Sequence, residues 1–372
     1  MKIKDYLESD PETKEKLRNI ATFFMLECTN SKNGGCQLSP FEDEKIRWIL
    51  PEARKAIRGE IAYPTVARIC LTTSCLHNCS GCLFADNRTK EKYFLDSNNF
   101  GTLLKGVLSL KVKLIDLTGG GEPTLHPEFK AFARMCTKEG FKLALLSNGT
   151  WTDPDLIDVL SDGFSFIRIN MDASNQEVYN RIHRPTVQGE FQRMLNNLEK
   201  LVMEKEKRKS DLIVGAKVSL NQANMNFLDE TINLAKDLGM NYIQFHIKRN
   251  DLEAILPEQV KSVDRLLLEL KNIHRPFMVY GEVNEEETQD ICWISELQLT
   301  IDPKGDIYSC PHYPDHLQAT CLRSIFNEPT DKLWFSKEHI NEIDHLNRKT
   351  CLERTCRWLS YDRLIRQRIN KS

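Results

Sequence analysis

Six short apolar stretches, at 66–72, 112–117, 141–146, 166–171, 212–219 and 241–247, most constrain what this chain can fold into. Each is β-branched or aromatic in part, as strands are. Between them apolar residues recur at helical spacing. Phe100, Leu103, Leu104, Val107 and Leu108 fall at i, i+3, i+4, i+7 and i+8, and Phe129, Phe132, Ala133 and Cys136 repeat the pattern, as do Phe191, Met194, Leu195 and Leu198. Strands alternating with helices predict an α/β chain with a parallel sheet and helices on its outer face. Six such units predict a partial (β/α)6, TIM-like barrel, in which chemistry gathers at the C-terminal ends of the strands.

The first strand runs into Cys75, Cys79 and Cys82, spaced C-x3-C-x2-C. Three thiolates on one tight loop can hold three irons of a 4Fe–4S cube. Such clusters normally take four cysteines, so three with no near fourth leave one iron open to a reactant. The rival readings are buried core cysteines or a zinc site. Zinc usually wants four ligands in paired clusters, and His77, inside the same loop, would make a cramped fourth.

The second strand ends in Gly119, Gly120, Gly121 and Glu122. Glycines there let backbone approach a ligand, and a glutamate can accept from an ammonium. A phosphate-binding P-loop is excluded because its Gly-Lys-Ser/Thr ending is missing. The third strand ends at Ser147 and Asn148, the fourth at Asn170 and Asp172, the fifth at Ser219 and Asn221, the sixth at His246. All are candidates by position. In the loop after the fourth strand, Arg181 or Arg184 could pair with a carboxylate, or be a solvated basic turn.

Beyond an acidic linker at 281–290 the pattern changes. Leu297–Ile301 alternates, Asp302–Asp306 supplies turn chemistry, and Ile307-Tyr308 resumes: a hairpin. Cys292 and Cys310 would face each other near its base, with Cys351 and Cys356 able to complete a four-cysteine site for iron–sulfur or zinc. Cys321 could replace a ligand, donate a hydrogen atom or pack. Cys70 and Cys136 read as core, Cys28 and Cys36 as bystanders flanking a turn, and the arginines of 354–368 as a solvated helix face.

With 372 residues the chain can build a large core and two domains. Its 51 basic against 53 acidic residues give no field for nucleic acid. No apolar run is long enough for a membrane helix. Twelve cysteines without an export signal point to a reducing cytoplasm. Residues 1–62 read as a helical extension.

The cysteine triad after the first barrel strand resembles that of the radical S-adenosylmethionine (radical SAM) superfamily. The resemblance covers about 65–250, and Gly119–Glu122 looks like the superfamily's GGE motif, whose backbone and carboxylate hold the methionine amino group. It implies that Cys75, Cys79 and Cys82 bind a 4Fe–4S cluster. The open iron chelates S-adenosylmethionine, and reductive cleavage gives a 5′-deoxyadenosyl radical that takes a hydrogen atom from substrate. It also implies cofactor contacts near Asn170 and Asp172, where Asn replaces the usual Ser. A low-potential donor such as flavodoxin or ferredoxin would supply the electron. Cys292, Gly305 and Cys310 resemble the opening of SPASM and twitch domains. That implies a second, auxiliary cluster in residues 290–372, beside a core of 63–280, with the one-cluster twitch form fitting five cysteines better. The expected function is oxidation, epimerisation or crosslinking of a natural-product intermediate, either an aminosugar- or cyclitol-like small molecule or a short peptide. The alternatives are a maturase that recognises a precursor peptide, and a non-catalytic iron–sulfur or zinc protein.

Overall fold

In the computed structural model the chain divides into two compact units, Met1–Leu38 and Ser39–Ser372. The structure describes residues 39–58, 60, 62–82, 84, 92–247, 253–281, 297–308, 310 and 321–345, all in the second unit. Helix α1 (Pro40–Ile57) leads into β1 (Val66–Ile69), and then helices and strands alternate. These are α2 (Phe100–Ser109), β2 (Leu114–Leu117), α3 (Phe129–Lys138), β3 (Lys142–Ser147), α4 (Leu156–Gly163) and β4 (Phe166–Asn170). Two helices, α5 (Gln176–His183) and α6 (Glu190–Arg208), precede β5 (Ile213–Leu220). Then come α7 (Leu228–Asp237), β6 (Tyr242–Ile247), α8 (Pro257–Ile273), β7 (Met278–Tyr280), β8 (Gln298–Ile301), β9 (Asp306–Tyr308) and β10 (Cys321–Ser324). Helices α9 (Thr330–Trp334) and α10 (Lys337–His345) close the described chain.

The ten strands form one sheet in the order β10-β9-β8-β1-β2-β3-β4-β5-β6-β7. Strands β1 to β7 are parallel neighbours in sequence order. This is the partial barrel the alternation predicts, with β7 added beyond the six expected strands. Parallel strands need crossover helices, and these cover the outer face. The predicted apolar faces are the ones buried: Phe100, Leu103, Leu104 and Val107 on α2, Phe129, Phe132, Ala133 and Cys136 on α3, Phe191, Met194 and Leu198 on α6. Leu108, on the same face of α2 by spacing, is instead 39% exposed because it lies at the helix end.

The other strand face turns inward and is polar. Arg68 on β1 and Asp116 on β2 are register partners and lie 3.6 Å apart, both buried. Burial pulls the Arg68 guanidinium below its ordinary value, Asp116 offsets this, and Arg168 of β4 depresses it further. Arg68 and Arg168 sit three strands apart, so their mutual repulsion reflects a sheet curved around a shared interior.

The predicted hairpin forms between β8 and β9, with Thr300 opposite Tyr308 and Ile301 opposite Ile307. Asp302 makes its turn: Oδ1 accepts from the backbone N–H of Lys304 at 2.8 Å and of Asp306 at 3.0 Å. Strand β8 also pairs in parallel with β1, so the hairpin continues the barrel sheet.

Candidate active site

β1 passes into the cysteine loop at Cys70, whose N–H still bonds Ile301 O at 2.9 Å. The far side of the loop is stitched to the segment after α5. Asn78 N donates to His183 O and Arg184 O, each at 3.1 Å, Ser80 N to Ile182 O at 2.9 Å, and Thr186 N to Leu76 O at 2.8 Å. Arg184 is left-handed (φ 44°), and its turn brings two successive carbonyls to one N–H. Cys75, Cys79 and Cys82 are joined in no disulfide, and each is partly exposed. His77 N donates to Cys75 Sγ at 3.4 Å.

The Gly119–Glu122 loop lies directly against this one. Gly120 N donates to Cys70 Sγ at 3.1 Å and Glu122 N to Ser74 O at 2.8 Å. Glycine makes that approach possible. A Cβ on Gly121 would sit 2.1 Å from Ser74 O, and Gly119 has φ 116°, which side chains rarely adopt. Cys70, expected as core, is buried and also serves as the sulfur under this loop, with its thiol pushed up to about 11 by burial.

Glu122 is buried. Its Oε1 accepts from Ser147 Oγ at 2.8 Å, Thr124 Oγ1 at 2.8 Å and Thr124 N at 3.2 Å, and its Oε2 from Asn148 N at 2.8 Å. Burial pushes the carboxyl up and these donors hold it back. A carboxylate offers about four lone-pair positions, and Oε1 is crowded, so Oε2 retains room for one more donor, such as an ammonium. Asn148 accepts from Thr150 N and Oγ1, each at 2.9 Å, while its buried Nδ2 meets no partner among the described residues.

Across the strand ends, Asp172 Oδ1 accepts from Ser219 N at 2.5 Å, and Oδ2 lies 3.5 Å from His183 Nε2. Asn224 Nδ2 spans Asp172 O and Ser219 O at 2.9 and 3.0 Å. Ser219 Oγ is 3.5 Å from His246 Nε2. Asn170 is half-buried at the end of β4, in register with Lys217. Two candidates stand apart. Asn221 is fully buried and turned onto its own loop, accepting from Ala223 N at 3.0 Å. Arg181 lies on the exposed side of α5, 3.0 Å from Glu253.

The sequence reading missed the ring cluster beneath the cysteine loop. His183 Nδ1 lies 3.4 Å from Cys79 Sγ, and His77 Nε2 lies 3.2 Å from Tyr179 Oη and 3.6 Å from Glu190 Oε2. Tyr179 and His183 are four apart on α5, the spacing that puts two side chains on one helix face. That was the available signal.

Whether this site fits a cluster or a single zinc is decided by sulfur spacing. One tetrahedral zinc with bonds of about 2.3 Å needs its ligand atoms about 3.8 Å apart. Among the described residues, the set that comes within 4.8 Å of one another is His77, Cys79 and His183. The three sulfurs of the triad form no such set, which suits a larger group. The orphaned Asn148 Nδ2 and the open side of Glu122 Oε2 offer a donor and an acceptor to an amino acid moiety beside it. Cys310 is buried and Cys321 exposed. Cys292, Cys351, Cys356, Cys28 and Cys36 lie outside the described residues.

Residues 69–225 match the profile of the Radical SAM superfamily. Over 178 residues, 48% of this chain and 48% of the relative, the sequence is 26% identical to the AdoMet-dependent heme synthase of Methanosarcina barkeri. Over 266 residues, 67% of this chain and 65% of the relative, it is 23% identical to the mycofactocin maturase MftC of Mycobacterium tuberculosis. The chain thus spans about half to just under two thirds of the length of these curated relatives. Streptococcus suis SuiB bound to S-adenosylmethionine shares the fold: TM-score 0.63, 12% identity, covering 92% of this chain and 82% of that one.

Proposed function

We propose that this chain, whose residues 69–225 match the Radical SAM superfamily profile, is an enzyme that abstracts a hydrogen atom from an unactivated carbon of a peptide or cofactor-like intermediate, leading to its oxidation, crosslinking or epimerisation. The observation that carries this reading is the 2.8 Å bond from Glu122 N to Ser74 O. It joins the cysteine loop and the glycine loop backbone to backbone, at the C-terminal strand ends where such barrels work.

When bound on Cys75, Cys79 and Cys82, a 4Fe–4S cluster with S-adenosylmethionine supplies a 5′-deoxyadenosyl radical. The chain's own residues bind, orient and shield. Glu122 Oε2 and the carbonyls of the glycine loop would accept from the methionine ammonium, and Asn148 Nδ2 would donate to an oxygen of the same cofactor. Ser147 fixes the Glu122 carboxylate. Asn170, Asp172 and Ser219 line the next strand ends towards carboxylate or ribose. The curved sheet encloses the reacting carbon and excludes water and oxygen.

Cys292, Cys310, Cys351 and Cys356 would hold an auxiliary cluster in a twitch-like segment of residues 290–372, beside a core of 63–280. Such a cluster would supply an electron acceptor beside the substrate. A flavodoxin or ferredoxin in the cytoplasm would be the electron donor to the first. The names of the relatives, a heme synthase and a mycofactocin maturase, favour maturation of a cofactor or peptide over a free sugar.

The test is anaerobic reconstitution with iron and sulfide, reduction with dithionite and addition of S-adenosylmethionine. The reading requires 5′-deoxyadenosine above the level of a Cys75→Ala control. Equal yields from both proteins overturn it.

A further inference from the structure

His183 is buried beneath the cysteine loop and used by none of the roles above. Its ring is flanked on three sides. The Tyr179 ring packs against it, centroids 4.4 Å apart, and His77 lies 5.4 Å away. Its Nε2 faces Asp172 Oδ2 at 3.5 Å, and Asp172 is itself fixed by Ser219 N and Asn224 Nδ2. The remaining nitrogen, Nδ1, faces Cys79 Sγ at 3.4 Å. The loop carrying Cys79 cannot drift away, because Asn78 N and Ser80 N are bonded to carbonyls at 182–184 on either side of it.

The geometry points to His183 as a positioning residue that donates from Nδ1 to the Cys79 thiolate, with the Tyr179 and His77 rings packed against its own. The inference rests on the radical SAM reading. A thiolate bound to iron carries negative charge that grows when the cluster accepts an electron. A hydrogen bond to the sulfur therefore favours the reduced form and raises the potential. Outer partners that fix the orientation of a ligand or its donor act in the same way at other metal sites. The residue also links two regions. Asp172, among the strand ends where the cofactor would sit, lies 3.5 Å from one nitrogen of the imidazole, and Cys79 Sγ lies 3.4 Å from the other.

The test compares the reconstituted full-length protein with His183→Phe, which keeps a ring against Tyr179 but has no donor, and His183→Asn, whose amide places an N–H near the former Nδ1. The readout is the redox titration of the S-adenosylmethionine-responsive EPR signal, alongside iron per chain. His183→Phe is expected to lower the reduced-to-oxidised ratio at fixed potential about tenfold, a shift of about 59 mV for one electron. His183→Asn is expected to restore the ratio to within about twofold. Should His183→Phe lose its iron while His183→Asn keeps both iron and potential, the inference stands, since Asn lacks the ring and shares with His the donor. An unchanged potential in His183→Phe overturns it, and so does a His183→Asn no better than His183→Phe. One zinc and no cluster in the wild-type protein would instead sink the radical reading itself, through the His77, Cys79 and His183 set.

Discussion

The backbone N–H of Asn148 donates to Glu122 Oε2 at 2.8 Å, so the loops leaving β2 and β3 share one buried carboxylate. Replacing Glu122 with Gln puts an NH2 where an oxygen now accepts. Either Asn148 N or the cluster of Ser147 and Thr124 donors then loses its acceptor. A buried group left unpaired costs about 1–3 kcal/mol. Glu122→Gln should lower Tm and weaken S-adenosylmethionine binding about tenfold or more, measured by calorimetry on the reconstituted protein. Unchanged affinity would remove Glu122 from the cofactor site.

Gly121 gives a second, independent probe of the same junction. Its Cβ would meet Ser74 O at 2.1 Å and Thr73 C at 2.6 Å, both backbone atoms that cannot swing aside. Gly121→Ala must push the cysteine loop off the glycine loop, at about 1–3 kcal/mol for overpacking. Iron and sulfide content after reconstitution should fall with stability. A variant with full iron and wild-type Tm would show that the two loops need not touch.

Most of the barrel was legible because its signals are local. Strand positions followed from short apolar runs, and the inward faces of α2, α3 and α6 from helical spacing. The hairpin was legible because Asp302 and Gly305 carry turn chemistry. Three things were not. Strand β7 is three residues long, too short to show a period. The parallel pairing of β8 with β1 joins segments more than two hundred residues apart, and nothing local encodes it. His183 meets Cys79 only because α5 folds back over the loop. In the sequence its neighbours Arg181 and Arg184 drew the attention, whereas the structure leaves both exposed.

Cys310 tests the proposed auxiliary cluster. It is buried and close enough to Arg68 that a thiolate there would raise the guanidinium's pKa. If it ligates iron, Cys310→Ala should reduce iron from about eight to about four per chain, while Cys75→Ala leaves the complementary four. Both counts come from colorimetric iron assay after anaerobic reconstitution. Iron unchanged in Cys310→Ala would make it a packing residue.

Asp302 makes stability depend on pH. Burial raises its carboxyl from 3.8 to about 6, against the lowering pull of the Asp306 and Lys304 N–H groups. The folded protein therefore holds this proton more tightly than the unfolded chain does. The contribution is fully present below the unfolded value near 3.8 and is lost as pH rises through about 6. Asp302→Asn keeps an oxygen for both turn N–H groups and removes the charge. At about 1.4 kcal/mol per pKa unit, discounted for partial solvation, it should stabilise the protein by about 1–2 kcal/mol at neutral pH. The gap in Tm between variant and wild type should shrink from pH 7 to pH 4, because protonated Asp302 already behaves like the amide. A gap constant across that range would mean that Asp302 is ionised in the fold at no cost.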